Sequence, residues 1–338
     1  MRAAGRRSGG GVVVLVAALV FALALGVILG SGPLRTAFLG EGAREAEALR
    51  AQLAERDNAV ADAAAENELL ARYLDELSHV AAEDRLADRT IAVVVAPGVD
   101  PDDADAMAKA FTDAGGTVVA TATLTPLWLD PDQVAFRTAL AEEIVADVGV
   151  ATEQTAPEAV LQSALVQILA PTLGGTSEGA EPDPALPPDS TLPQEQAEVL
   201  LTVLSRAGLV ELERSSAPAP DDAAPGVAEP DVVVVLTPDA PPHGEDLPFA
   251  DNSAALARLA STIAGNGLPT VLAQGGRTTG DPWSAVEGIH GTSTDLSMVA
   301  HAWSAGGAIM VILAAERELI GTHALYGDPA AESLLPIR

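Results

Sequence analysis

The sequence predicts an α/β protein in which an N-terminal transmembrane helix and a coiled coil precede a Rossmann-like parallel-sheet domain with disordered Pro-rich loops. Three observations carry this prediction. An uncharged apolar run lies near the N-terminus, a heptad repeat follows it, and β-branched runs then alternate with helices that open on Asp-Pro. A chain of 338 residues, 48% of them apolar, is long enough to bury a substantial core. The expected divisions are a cytoplasmic tail at 1–10, an anchor at 11–32, a coiled coil at 33–85 and an extracytoplasmic α/β domain at 86–338. Flexible loops are expected at 171–193 and 215–230.

No residue from Ser8 to Leu34 is charged, and residues 12–29 are almost unbroken Val, Leu, Ala, Ile and Phe. Eighteen such residues at ~1.5 Å each cross most of a ~30 Å hydrocarbon layer. Arg2, Arg6 and Arg7 precede the run, whereas all 48 acids follow it. Positive charge stays on the cytoplasmic side, so the N-terminus is expected inside and the bulk of the chain outside. A cleaved signal peptide is the alternative, since Ala22-Leu23-Ala24 has the small-x-small form. Cleavage there would strand Leu25-Gly-Val-Ile-Leu29 as an apolar stub, which favours an uncleaved anchor. Arg6-Arg7 lacks the apolar residues that follow a twin-arginine signal directly. No second stretch is long enough to span, so a single-pass protein is expected.

From Ala43 to Val95 there is neither Gly nor Pro, and Ala, Glu, Arg and Leu dominate, which is strong helix-forming material. A heptad register fits residues 46–77. Position a holds Ala46, Leu53, Val60, Asn67 and Leu74, and position d holds Leu49, Arg56, Ala63, Leu70 and Leu77. Eight of these ten are apolar, so a coiled coil is expected and, with it, a homodimer. Asn67 at a core position favours a two-stranded, parallel, in-register pair, because a buried amide needs another amide opposite. An antiparallel or intramolecular pairing with Asn67 facing solvent is the alternative. Arg56 can snorkel out of the seam.

The run Arg89-Thr-Ile-Ala-Val-Val-Val-Ala-Pro97 reads as a buried strand. The acids at 100–105 bring a calcium loop to mind, but Ala104 occupies the third ligand position and the required Gly is missing. Capping explains them better, with Asp100 as N-cap and Pro101 at the first helical position. That helix runs through Met107 and Phe111 to Ala114, and Gly115-Gly116 stops it. A strand at 117–124, a second Asp-Pro cap at Asp130-Pro131 and an apolar-periodic segment at 157–169 follow. Strand, helix, strand with short turns is the pattern of a parallel sheet.

The loop at 171–193 carries six prolines and no basic residue, and the one at 215–230 has four prolines. Between them Leu200, Leu201 and Leu204 share a helical face in 194–207, closed by Gly208. Asp231-Val-Val-Val-Val-Leu-Thr237 is the most strand-like run in the chain. A helix near 252–264 and strands at 270–273 and 308–313 complete the expected order.

The formal net charge is −30, and beyond the first ten residues it is −33. With Lys109 the sole lysine, nucleic acid and anionic lipid surfaces are excluded as partners. Ten aromatic residues argue against a transmembrane β-barrel with two aromatic girdles. The absence of Cys excludes disulfides and thiolate chemistry. Gly275-Gly276 fits neither phosphate-loop pattern and reads as a turn. Ser293 lacks the second glycine of a nucleophile elbow. Met298 and His301 would share one helical face, a pairing suited to Cu(I), but no third soft ligand is near in sequence. Neither His290 nor His323 is a sequence neighbour, and His79 and His243 are further away still. No enzyme class emerges, and no catalytic residue or certain cofactor is assigned.

Leu25-Gly-Val-Ile-Leu-Gly-Ser-Gly32, followed at once by the heptads, resembles the start of the actinobacterial MctB family, named for mycobacterial copper transporter B. The resemblance continues through Ala114-Gly-Gly-Thr-Val-Val-Ala-Thr-Ala-Thr-Leu124, Ser293-Thr-Asp295, Gly306-Gly307 with the apolar run to Leu313, and Tyr326-Gly327. It implies a cell-envelope protein of copper transport or copper homeostasis, with copper as the metal concerned. Some relatives resemble SteB, an envelope partner in cell separation, which implies a non-enzymatic scaffold with an envelope protein partner. The resemblance carries over no catalytic motif.

Overall fold

Apolar runs with no polar alternation belong in strands covered on both faces. In the computed structural model, β1 (Thr90–Val95) and β4 (Val232–Leu236) are such strands and lie side by side, parallel, from Ile91 opposite Val232 to Val95 opposite Leu236. The structure describes residues 16–23, 33–148, 156–171, 192–215, 229–239, 247–276, 281–290, 295–304, 306–323 and 325–327. The chain divides into two units, residues 1–70 and 71–338.

The first unit is helical. It contains α1 (residues 16–23), all exposed, and most of α2 (Pro33–Ala82), an unbroken helix of 50 residues. The segment expected as a coiled coil over 33–85 is helical from Pro33 to Ala82. Pro33 stands at its first position, where the missing N–H costs nothing. Among the described residues no helix is long and apolar enough to cross a membrane. Of the anchor expected at 11–32, only 16–23 is described, and the remainder lies outside the described residues.

The second unit holds a seven-stranded sheet of order β3-β2-β1-β4-β5-β6-β7. Its other strands are β2 (Thr117–Leu124), β3 (Val210–Arg214), β5 (Thr270–Ala273), β6 (Ser297–Val299) and β7 (Leu325–Tyr326). Every neighbouring pair is parallel except β2 with β3. Successive side chains of a strand point to opposite faces, and β1 divides its residues accordingly. Ala92 and Val94 join a layer with α4 (Val134–Asp147), α5 (Pro157–Leu169), α6 (Leu192–Arg206), α7 (Leu247–Gly265) and α8 (Pro282–His290). Ile91, Val93 and Val95 face Met107 and Phe111 of α3 (Pro101–Asp113), together with α9 (Gly307–Glu318). Ala82 and Leu86 belong to this second core. The mostly parallel, doubly covered sheet is the predicted α/β architecture.

At the start of α3 the Asp100 carboxylate accepts from the Asp102 N–H at 3.0 Å, with Pro101 next in line, so the expected N-cap is formed. Asp130 caps in the same way, accepting from the Asp132 N–H at 2.9 Å, but what it opens is the short 3-10 turn Pro131–Gln133, after which α4 begins. Gly115 takes φ 83°, and a Cβ on Gly116 would come within 2.5 Å of the Ile91 Cδ1.

Four expectations need correction. Residues 308–313 are not a strand but lie inside α9, whose Ile309, Val311, Ile312, Leu313, Ala314 and Ala315 are all buried. An apolar run buried on nearly all sides has no periodicity to tell helix from strand. The first residue of this helix is Gly307, where a Cβ would overlap the Ala302 carbonyl oxygen. Second, the helix expected from 194 starts at Leu192; of the two expected loops, 172–191 and 216–228 lie outside the described residues. Third, β3, β6, β7 and α8 were not expected. Fourth, the premise behind pairing Met298 with His301 fails, because 297–299 is strand β6.

Candidate functional site

In open parallel sheets, ligands gather at the carboxyl ends of the strands where the strand order reverses. Here the reversal lies between β1, which leads to β2 on one side, and β4, which leads to β5 on the other. The segments at that edge are 96–100, 237–239, 274–276 and 300–304. They are knit to one another by backbone bonds. Ala96 N–H donates to Leu236 O at 2.9 Å, Thr237 N–H to Ala273 O at 2.9 Å, Gln274 N–H to Val299 O at 2.9 Å and His301 N–H to Gly275 O at 2.8 Å. The Trp303 indole N–H adds a bond to Thr237 O at 3.1 Å.

Gly275 is required at this edge by a close approach. A Cβ built there would stand 2.9 Å from the Asp239 Cα and closer still to its carboxylate. The turn expected at Gly275-Gly276 is thus a bend over which the end of the β4 strand closes. It leads on to α8, where Asp281 accepts from the Ser284 N–H at 2.7 Å and Pro282 is the first helical residue. Asp281 is a third Asp-Pro cap, and it is also held by Gln274, whose Nε2 donates to Oδ2 at 3.0 Å. Gln274, Asp281 and Trp283 are all buried.

Carboxylates at the edge are close enough to feel one another. The Asp103 carboxyl is pushed above the usual carboxylate range by desolvation and then by the charges of Asp100, Asp239 and Asp102. Among the described residues no group of three or more His, Asp and Glu is placed to hold a metal ion. The cluster reads as helix capping with mutual repulsion.

Met298 is fully buried in β6, paired with Leu325 of β7 and packed in the core. His301 is exposed, at φ 62°, beyond the strand end. The two therefore do not share a helical face. His323 bonds elsewhere: its Nδ1 lies 2.9 Å from Glu318 Oε2. The Glu318 side chain is buried, and this burial raises its pKa against the opposing pull of hydrogen bonds from Ser297 and His323. This trio was missed in the sequence because Ser297 reaches Glu318 only through the packing of α9 on β6. His243 and the side chains of His79 and His290 lie outside the described residues.

The expected dimer seam lies along α2. Leu49, Leu53, Val60, Asn67, Leu70, Leu74 and Leu77 are all exposed in the single chain, Leu49 at 60% and Val60 at 69%. The exposed Leu and Val at 3,4 spacing are the positions at which the homodimer seam is expected.

Among curated proteins none matches the chain. The family model described as "Copper transport outer membrane protein, MctB" matches residues 10–336, nearly the whole length, and the chain belongs to that family.

Proposed function

We propose that this protein is a cell-envelope component of copper transport and homeostasis, held in a membrane by one N-terminal span and acting as a coiled-coil homodimer. The family membership over residues 10–336 is the observation that carries the copper reading. The single span rests on the uncharged run at 8–34 and on the three arginines before it, which orient the acidic α/β domain away from the cytoplasm. The homodimer rests on the exposed a and d residues of α2. Copper is the cargo in this reading, and the chain is not an enzyme.

The test is a deletion strain with fractionated membranes. The reading expects the protein in the envelope fraction, its α/β domain open to protease from outside, and copper tolerance altered by the deletion. Unchanged copper sensitivity, together with no copper binding to the full chain in calorimetry, would overturn it.

A second reading is a non-enzymatic scaffold that joins envelope proteins. The 50-residue helix α2 favours it, since a long helix with exposed Leu and Val offers an extended surface for pairing with helices of other proteins. In-cell crosslinking from residues of the α/β domain distinguishes the two: recovery of an envelope partner with copper tolerance intact favours the scaffold.

A further inference from the structure

A cavity of about 440 Å³ lies among α4, α5, α7 and the turn at 128–131. That volume is within the ordinary range for small-molecule sites. Its walls include Trp128, Leu129, Val134 and Leu161, which give it an apolar body. Two polar side chains in its lining are more than nine-tenths buried, Arg137 at 7% exposure and Gln162 at 5%.

Arg137 is held in place by two bonds, both from Nη1, to Leu127 O at 2.8 Å and to Asp130 O at 2.7 Å. These bonds fasten the turn before α4 and explain why the guanidinium is inside. They use only Nη1, while a guanidinium has five N–H donors. Nε and Nη2 have no protein partner among the described residues, and no described carboxylate pairs with the charge. A buried cation neutralised only by carbonyls is costly, and an anion beside it relieves that cost. Gln162 adds a second donor: its Oε1 accepts from the Thr262 hydroxyl at 3.0 Å, leaving Nε2 without a described partner.

The geometry points to this cavity as a binding site for a monoanionic carboxylate with a small apolar body. The planar edge of Arg137 and the Gln162 amide receive the carboxylate, and Trp128 and Leu161 cover the rest. A carboxylate suits the site better than a phosphate for two reasons. A guanidinium edge matches the two coplanar oxygens of a carboxylate. Glu158 and Asp251 also line the cavity, and although Arg258 pairs with Glu158 at 3.4 Å, Asp251 would repel a dianion. The assignment is independent of copper.

The full chain in lipid nanodiscs is titrated calorimetrically with N-acetyl-leucine, with its neutral isostere N-acetyl-leucinamide and with inorganic phosphate. Saturable binding of the acid is expected, with the amide and phosphate at least about tenfold weaker, the loss that follows from removing a charge-assisted hydrogen bond. Gln162→Leu should weaken the acid about tenfold. Arg137→Met should abolish binding, but it also unfastens the turn and can unfold α4. Ala255→Trp therefore carries the test independently: Ala255 lines the cavity and is only half-buried, so the indole fills the site while thermal melting checks that the fold is kept. Amide binding as tight as acid binding, phosphate binding tighter than the acid, no acid binding at millimolar concentration, or full acid affinity in folded Ala255→Trp would each overturn the assignment.

Discussion

His323 Nδ1 lies 2.9 Å from a carboxylate oxygen of Glu318 whose side chain is wholly buried between α9 and β6. The burial raises the Glu318 pKa from its usual 4.5, because desolvation outweighs the bonds from Ser297 and His323. A carboxyl whose native pKa is raised supplies stability below its unfolded value and loses that contribution as pH rises through the native value. Glu318→Gln keeps the shape and removes the buried charge. Its melting temperature should therefore gain on that of the parent as pH rises from about 4 through the raised native value of Glu318. A difference in melting temperature that stays constant across that range would contradict the burial argument.

Asp281 caps α8 and also satisfies the buried amide of Gln274. Asp281→Ala removes the cap and leaves Gln274 Nε2 unpaired away from water. The expected loss is about 2–4 kcal/mol, combining the usual cap contribution with the cost of an unsatisfied buried donor. Denaturant unfolding measures it. In the double variant with Gln274→Leu the loss should be smaller than the sum of the single losses, because the amide whose partner was removed is itself absent.

Gly275 and Gly276 are neighbours with different obligations. A Cβ at 275 meets the Asp239 backbone at 2.9 Å, whereas one at 276 comes no nearer than 3.6 Å to the His301 ring. Gly275→Ala should cost about 1–3 kcal/mol by overpacking, and Gly276→Ala should be close to neutral. The indole of Trp303, bonded to Thr237 O, gives a local fluorescence signal that should change in the first variant only. Equal effects of the two substitutions would show that the edge tolerates a side chain at both positions.

Asp-Pro pairs made much of the fold legible in the sequence. Asp100-Pro101 and Asp130-Pro131 mark helical starts by local chemistry alone, and both caps are formed. The same device at Asp281-Pro282 was overlooked because the nine-residue α8 is too short for its periodicity to stand out. Strand β6 is three residues long and contains Ser297, so its place in the sheet depends on pairing with β5 and β7 and not on its own composition. The cavity polar groups were equally hidden. Arg137 and Gln162 look like surface residues of amphipathic helices until the packing of α4, α5 and α7 buries them. Met298 misled for the opposite reason: its spacing from His301 has meaning on a helix and none on a strand.

The α2 seam makes the final prediction, which the heptad spacing motivates. Each exposed Leu or Val in the stripe stands to gain about 1.5–3 kcal/mol on full burial. Seven positions, from Leu49 to Leu77, are exposed together in one chain. Leu53→Asp with Leu70→Asp places charges at two core levels, where a partner helix cannot hydrate them, and should shift the full chain toward monomer in sedimentation. Asn67→Leu acts in the other direction. It removes the amide that tolerates only an amide opposite, so the helices should associate more tightly but with less discrimination, and species larger than dimers should sediment. A parent chain that is monomeric at every concentration would refute the seam, since neither variant would then have an assembly to change.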